Sequence, residues 1–346
     1  MTLELGIDHF GDLTHDASGQ PLSHAQVVRN VVEEGVLADA VGIDFIGLGE
    51  HHRDDFAISS PEMVLAAIAA RTERVRLGSA VTVLSSDDPV RVWERFATLD
   101  ALSAGRAEVI LGRGSFTESF PLFGYELADY EDLFEEKLGL FAALRDAHEA
   151  GRPVTWEGKH TQSLSDVTLY PTLEGGSLPA WVAVGGSPQS VIRAAHHGLP
   201  LMLAIIGGPA ERFAPFADLY RRALDEFGKP EQPVGYHSFG HIAATDEQAI
   251  EEFYDAWFAS VSRIGSERGW SRPTRASFLH ELEHGSMVVG SPETAARRIA
   301  AGVKALGASR FDVKVSTGPL RHDRIMTSIE LYGQHVAPLV RDMLAD

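Results

Sequence analysis

Eight times along this chain a short run rich in apolar residues stops, and a segment with apolar residues at helical spacing follows it. The runs fall at residues 3–10, 44–50, 75–84, 106–114, 180–186, 199–206, 234–244 and 310–316. Near-continuous apolar runs mark strands buried on both faces, and such strands belong to parallel sheets covered by helices. Eight β-then-α units is the number that closes a (β/α)8 barrel. An open doubly wound sheet is the alternative. The G-x-G-x-x-G fingerprint of a dinucleotide-binding sheet, however, does not follow the first run. The expectation is therefore an α/β protein, one barrel domain spanning residues 1–346.

The helical segments carry their own punctuation. The segment at 23–42 opens on Ser23 and stops at Gly42, and those at 59–72 and 88–105 carry a proline near their start. Two stretches do not fit the repeat. Residues 152–179 read as a short hairpin plus a loop, and 265–290 as polar and irregular. Insertions of this length sit on a barrel rim, where long loops carry function.

Composition narrows the function classes. With 346 residues the chain buries enough surface to need no staples. There is no cysteine, which removes disulfides, thiolate metal sites and a cysteine nucleophile. A formal net charge of -19 disfavours polyanionic partners, so neither nucleic acid nor an acidic membrane surface is expected. Glu4, Asp8 and Asp12 arrive too early for a signal peptide, and no apolar run reaches the roughly 20 residues of a membrane helix. A cytoplasmic protein is expected.

In a barrel, reacting groups sit at the C-terminal ends of strands. The second run ends "FIGLGEHHRDDF" (residues 45–56), placing Glu50, His51 and His52 there. A carboxylate beside imidazoles performs acid–base chemistry near neutral pH, so His51 is the expected base, with Glu50 and His52 lining the substrate pocket. Asp54 and Asp55 are expected as solvated loop charges. Adjacent histidines point apart on an extended chain, and no second pair completes a set of ligands, so no metal is expected.

The fourth run ends "ILGRGSF". Glycines on both sides of Arg113 allow close backbone approach, and a guanidinium suits a phosphate. The fifth ends "VGGSPQS", where Gly186 and Ser187 lead into a helix with Pro188 in its first turn. Free N–H groups and the positive helix end favour an anion, and Ser187 and Ser190 add hydroxyls. "GSPETAARR" has the same form later in the chain. The pairing of Arg113 with Gly186 and Ser187 is thus more informative than either piece. The third run stays apolar to its end, which suits either core packing or a wall against a ring system.

The pieces "GLGEHHR", "LGSAVTVLSSDDPVRVWERFATLDALSAGR", "ILGRGS", "LFGYE", "AVGGSPQS", "HHGLP" and "VGSPE" occur in an order that resembles the bacterial luciferase-like flavin monooxygenase family. With the strand pattern they cover nearly the whole chain. The resemblance implies a barrel that binds FMN, often as a dimer. It implies a two-component oxidoreductase: an NAD(P)H-dependent reductase supplies reduced flavin, and O2 then oxidises a small organic substrate. It places a histidine near the flavin at His51, and a non-proline cis peptide against the ring at Ala80 and Val81. It puts phosphate contacts at Arg113, with Gly112, Gly114 and Ser115 beside it, and at Gly186, Ser187 and Ser190. The dimer would pair the helices at 59–72 and 88–105. The same fold also serves F420-dependent hydride transfer, and a flavin carrier without catalysis would keep Arg113 and Ser187 with no use for His51. Gly112 stands where the luciferases have a reactive cysteine, Gly186 where they have a glutamate, and Val81 where they have alanine. Residues 152–179 and 265–290 do not match. Neither light emission nor a long-chain aldehyde substrate is therefore expected.

Overall fold

A computed structural model describes residues 3–345. Eight parallel strands close a barrel: β1 (Glu4–His9), β2 (Phe45–Leu48), β3 (Arg76–Ser79), β4 (Ala107–Gly112), β5 (Ala180–Val184), β6 (Leu201–Ala204), β7 (Val234–Ile242) and β8 (Arg310–Lys314). Closure comes from β8 pairing with β1, where Asp8 lies opposite Lys314. On its other side β8 pairs with β7, placing Asp312 opposite His237.

Side chains alternate between the faces of a strand, and the two faces do different work. Leu5, Ile7, Ile46, Leu77, Val109 and Val182 point outward into the large core under the helices. Phe45, Ile110, Trp181 and Met202 form a second, smaller cluster inside the barrel. Arg310 lies beneath it with no exposed surface, ion-paired to Glu108 and Asp312. Its guanidinium sits 3.7 Å from the centre of the Phe45 ring. These groups fill the lower barrel. Higher up, the inward positions become Gly47, Ala80, Gly112, Ala183 and Ala204, and space opens.

The structure departs from the sequence reading in four places. The third run is not one strand: it leaves the ladder at the cis peptide between Ala80 and Val81, and only Thr82–Val83 re-pair, with Leu111 and Gly112 of β4. A short helix at Ser119–Phe123, capped by Gly124, precedes the expected long helix Tyr130–Glu149. Residues 265–290 are not irregular. The helix Asp246–Arg268 runs on to Gly269, which ends it in the left-handed conformation. A further helix, Arg275–His284, starts on a reciprocal cap between Thr274 and Ser277, and Val288–Gly290 pairs beside β7. Serine replaces the usual Glu or Gln of that cap, which hid its signature. Finally, the terminal helix is interrupted by a π-turn at Tyr332–Val336, just before Pro338. Residues 152–179 do contain the expected hairpin, Val154–Trp156 against Leu164–Val167. Among the described residues no helix is long and apolar enough to cross a membrane.

Candidate active site

The space at the C-terminal ends of the strands is an open cavity with about 1020 Å³ of atom-free volume. Its wall is apolar where Ala80, Val81, Ile110, Ala183, Met202 and Ile206 meet it. Its polar groups come from five places: Asp8, Glu50 with His51, Arg113 to Ser115, Tyr130, and His237.

Small residues make this room. A Cβ on Gly112 would stand 2.6 Å from Val81 Cγ2, and one on Gly47 would stand 2.3 Å from Asp8 Oδ1. Both distances are impossible for real atoms, so these glycines let Val81 and Asp8 reach their positions. Gly185 has nothing within 4 Å of where its Cβ would be, and it lines the cavity.

His51 is brought to the wall as expected. Its N–H donates to the Ile58 carbonyl at 2.9 Å, which fixes the turn after β2. The ring stacks on Phe56 at 4.1 Å and meets Phe116 edge-on at 5.3 Å. Burial among these rings pushes the imidazole down to about 3. It is therefore uncharged at neutral pH and only a weak base there. Glu50 accepts from the Val83 N–H at 3.0 Å and lies 2.8 Å from His52 Nε2. It ties the end of β2 to the segment after the cis peptide. His52 is turned away, edge-on to Phe123, into a smaller adjoining cleft.

Asp54 is an exposed loop charge as expected, though it pairs with Arg263. Asp55 is not solvated. It is 20% exposed and bridges Arg53 and Arg263 at 3.0 Å each. Arg53 also holds Glu267 at 2.6 Å and lies over the Phe116 ring. These pairs clasp the β2 loop to the helix Asp246–Arg268, a partner 209 to 214 residues away for Asp54 and Arg53 that spacing along the chain does not reveal.

At the other side the residues expected to hold an anion converge. Arg113 Nη2 donates to Ser190 Oγ at 3.2 Å. Ser187 caps the helix Pro188–His196, its Oγ accepting from the Ser190 N–H at 3.3 Å. Gly186 turns the chain into that cap with φ 108°. Gly186, Ser187 and Ser190 sit beside the cavity rather than in its wall, while Arg113, Gly114 and Ser115 line it. Sequence reasoning missed Arg193, which points one guanidinium nitrogen at Ser190 Oγ, 3.5 Å away. Its signal was the spacing: three residues after Ser190 on one helix face. Glu131 closes this group, ion-paired to both Arg113 and Arg193. Also missed were Asp8 and His237, inward residues of β1 and β7 held together at 2.6 Å.

The sequence matches the family model described as luciferase-like monooxygenase over residues 9–310. The 4-hydroxyprotoasukamycin monooxygenase of Streptomyces nodosus subsp. asukaensis is 28% identical over 314 residues, covering 87% of this chain and 83% of that protein. Among solved structures, the fold is shared with the oxygenating constituent of 3,6-diketocamphane monooxygenase from Pseudomonas putida, a type II Baeyer-Villiger enzyme in complex with FMN. The TM-score is 0.78 at 20% identity, over 98% of this chain and 99% of that one. It is also shared with the F420-dependent tetrahydromethanopterin reductase of Methanopyrus kandleri, at TM-score 0.70 and 18% identity, over 98% and 99% of the two chains. A match over residues 9–310, carried by a closed barrel of the same architecture, makes this chain a member of the luciferase-like monooxygenase family.

Proposed function

We propose that this protein is an FMN-dependent monooxygenase of the two-component kind, receiving reduced flavin from an NAD(P)H-dependent reductase and using O2 to oxidise a small organic substrate. The observation that carries this reading is the cavity itself: an apolar wall, with Arg113 in its lining and the Ser187–Ser190 helix start converging on that arginine from beside it. The residues fit a flavin mononucleotide. Arg113 with Ser115, and the Ser187–Ser190 helix start with Arg193, suit one phosphate. Ala80 and Val81, Ile110 and Met202 present flat apolar surface to a ring. Bound there, reduced flavin would supply the electrons and the site of oxygen activation.

The chain's own residues supply position, dryness and hydrogen bonds. His51, neutral and stacked, offers a hydrogen-bonding ring without a charge. Glu50 fixes the wall segment after Val81. Arg53, paired to Glu267, ties the β2 loop to the helix Asp246–Arg268 at the rim.

Charge favours FMN over F420. Beyond Arg113 and Arg193 the surface turns acidic with Glu131 and Glu135. The longer anionic tail of F420 would meet carboxylates there instead of cations. A homodimer belongs to the same proposal: Met63 and Leu102 are exposed on the two helices expected to pair, and sedimentation of the purified protein tests it.

The test of the function is an anaerobic titration with reduced FMN, followed by rapid mixing with oxygenated buffer. Saturable binding and a reoxidation course altered from that of free flavin support the reading. Failure to bind FMN in either redox state overturns it.

A further inference from the structure

Two buried polar side chains meet at the floor of the cavity. Asp8 on β1 is 2% exposed and His237 on β7 is 6% exposed. Both line the cavity. Neither belongs to the flavin-anchoring set.

His237 Nδ1 and Asp8 Oδ2 are 2.6 Å apart. A carboxylate accepts, so the ring nitrogen carries the hydrogen, and in the neutral ring Nε2 is left with its lone pair. The ring is also fixed in plane, stacked on Phe10 at 5.5 Å and 10°. This is the arrangement by which a carboxylate sets both tautomer and direction of a histidine. Asp8 Oδ1 is buried and has no hydrogen-bond partner. An unpaired buried carboxylate oxygen is costly, which makes the bond from His237 to the other oxygen matter more.

The other charges around the ring are few. Asp312 and Lys314 come from the adjacent strand β8, and Arg310 lies a layer below. Lys314 is itself paired to Asp12 at 2.9 Å. His51, beyond Phe10, is uncharged. His237 is thus the imidazole in this cavity with a carboxylate partner and a free nitrogen.

We propose that His237, oriented by Asp8, takes a proton from the reduced flavin ring and holds it while the ring is bound. This rests on the FMN reading above. One N–H bond of the reduced ring breaks, and its electron pair stays on the ring nitrogen. The proton goes to Nε2, the imidazole becomes imidazolium, and Asp8 remains a carboxylate accepting from Nδ1–H. The reverse transfer returns the proton. Asp8 is a positioning residue in this scheme, because it acts through His237.

The neutral and anionic forms of reduced flavin differ in absorption, so the transfer is visible without turnover. The unaltered chain and His237→Gln would each be loaded with reduced FMN under anaerobic conditions and titrated from pH 5 to 9. The expected result is that the unaltered chain holds the anionic form at pH 6, while H237Q holds the neutral form there and releases its proton at least one pH unit higher. Oxidised FMN should bind both within threefold, showing an intact site. Should H237Q be poorly folded, the unaltered protein still decides. With ¹⁵N-labelled histidine at pH 7.5, adding reduced FMN must bring one more imidazole to the doubly protonated shift. Identical titrations in the two chains, or no change in any imidazole, would overturn the proton role while leaving the FMN reading standing. Absence of FMN binding by the unaltered chain would overturn that reading and the proposal with it.

Discussion

Arg113 donates to the hydroxyl of Ser190 at 3.2 Å although 77 residues separate them. The contact joins the ends of two adjacent barrel strands where the phosphate is proposed to sit. It does so in competition, because Glu131 also pairs with Arg113 and with Arg193.

That competition has a measurable sign. Charge-assisted hydrogen bonds contribute about 1.5–3 kcal/mol. Arg113→Ala should therefore weaken FMN binding by roughly tenfold or more. Glu131 is largely exposed and is not expected to be needed for folding. Glu131→Gln should strengthen FMN binding by freeing both guanidinium groups. Flavin fluorescence quenching measures both. Weaker binding by E131Q would place the phosphate elsewhere.

The second expectation concerns room. Gly112 faces Val81 so closely that a Cβ would stand 2.6 Å from it. Gly112→Ala must displace Val81 into the cavity. Overpacking of this kind costs about 1–3 kcal/mol. The variant should show a lowered Tm and weaker flavin binding, whereas Gly185→Ala, which meets nothing within 4 Å, should keep the Tm and narrow only the cavity. Equal thermal stability of G112A and the unaltered chain would mean that the wall is plastic.

Much of this architecture was legible in the sequence, for a physical reason. Parallel barrel strands are buried on both faces, so each stands out as an apolar run, and several helix starts carry a cap or a proline. Arg113, Ser187 and Ser190 were legible because glycines and caps are local signals. Asp8 and His237 were not. Whether a strand residue faces the lumen or the helices depends on closure of the barrel, and no local pattern marks it. Asp55 was misread for a related reason: its partner Arg263 is 208 residues away. The stretch 265–290 looked irregular because its helix begins on an unusual cap.

The third expectation is a pH dependence. Burial lowers His51 from 6.5 to about 3 in the folded chain. Between those values the unfolded chain binds a proton that the folded chain refuses. Stability therefore falls as pH drops below about 6.5, and this loss is complete near pH 3. His51→Phe removes the group. Denaturant titrations at pH 7 and pH 4.5 should show a smaller acid loss in H51F than in the unaltered chain. The same acid loss in both would mean that the ring is not buried as described.

The fourth concerns the lower barrel. Arg310 has no exposed surface and holds Glu108 and Asp312, which have none either. Removing one partner of a buried ion network leaves uncompensated charge, at a cost of about 3–5 kcal/mol. Arg310→Met should lower the unfolding free energy extrapolated from urea titration by that amount. If the stability of R310M stays within about 1 kcal/mol of the original, the network is neutralised by proton uptake on the carboxylates.

The account stands most directly on what the cavity binds. Equilibrium titrations of one protein preparation with FMN and with F420, each in oxidised and reduced form, put the question side by side. The account predicts saturable binding of FMN, weakened by Arg113→Ala, with F420 bound at least tenfold more weakly. F420 bound more tightly than FMN, or no binding of FMN in either redox state, would contradict it.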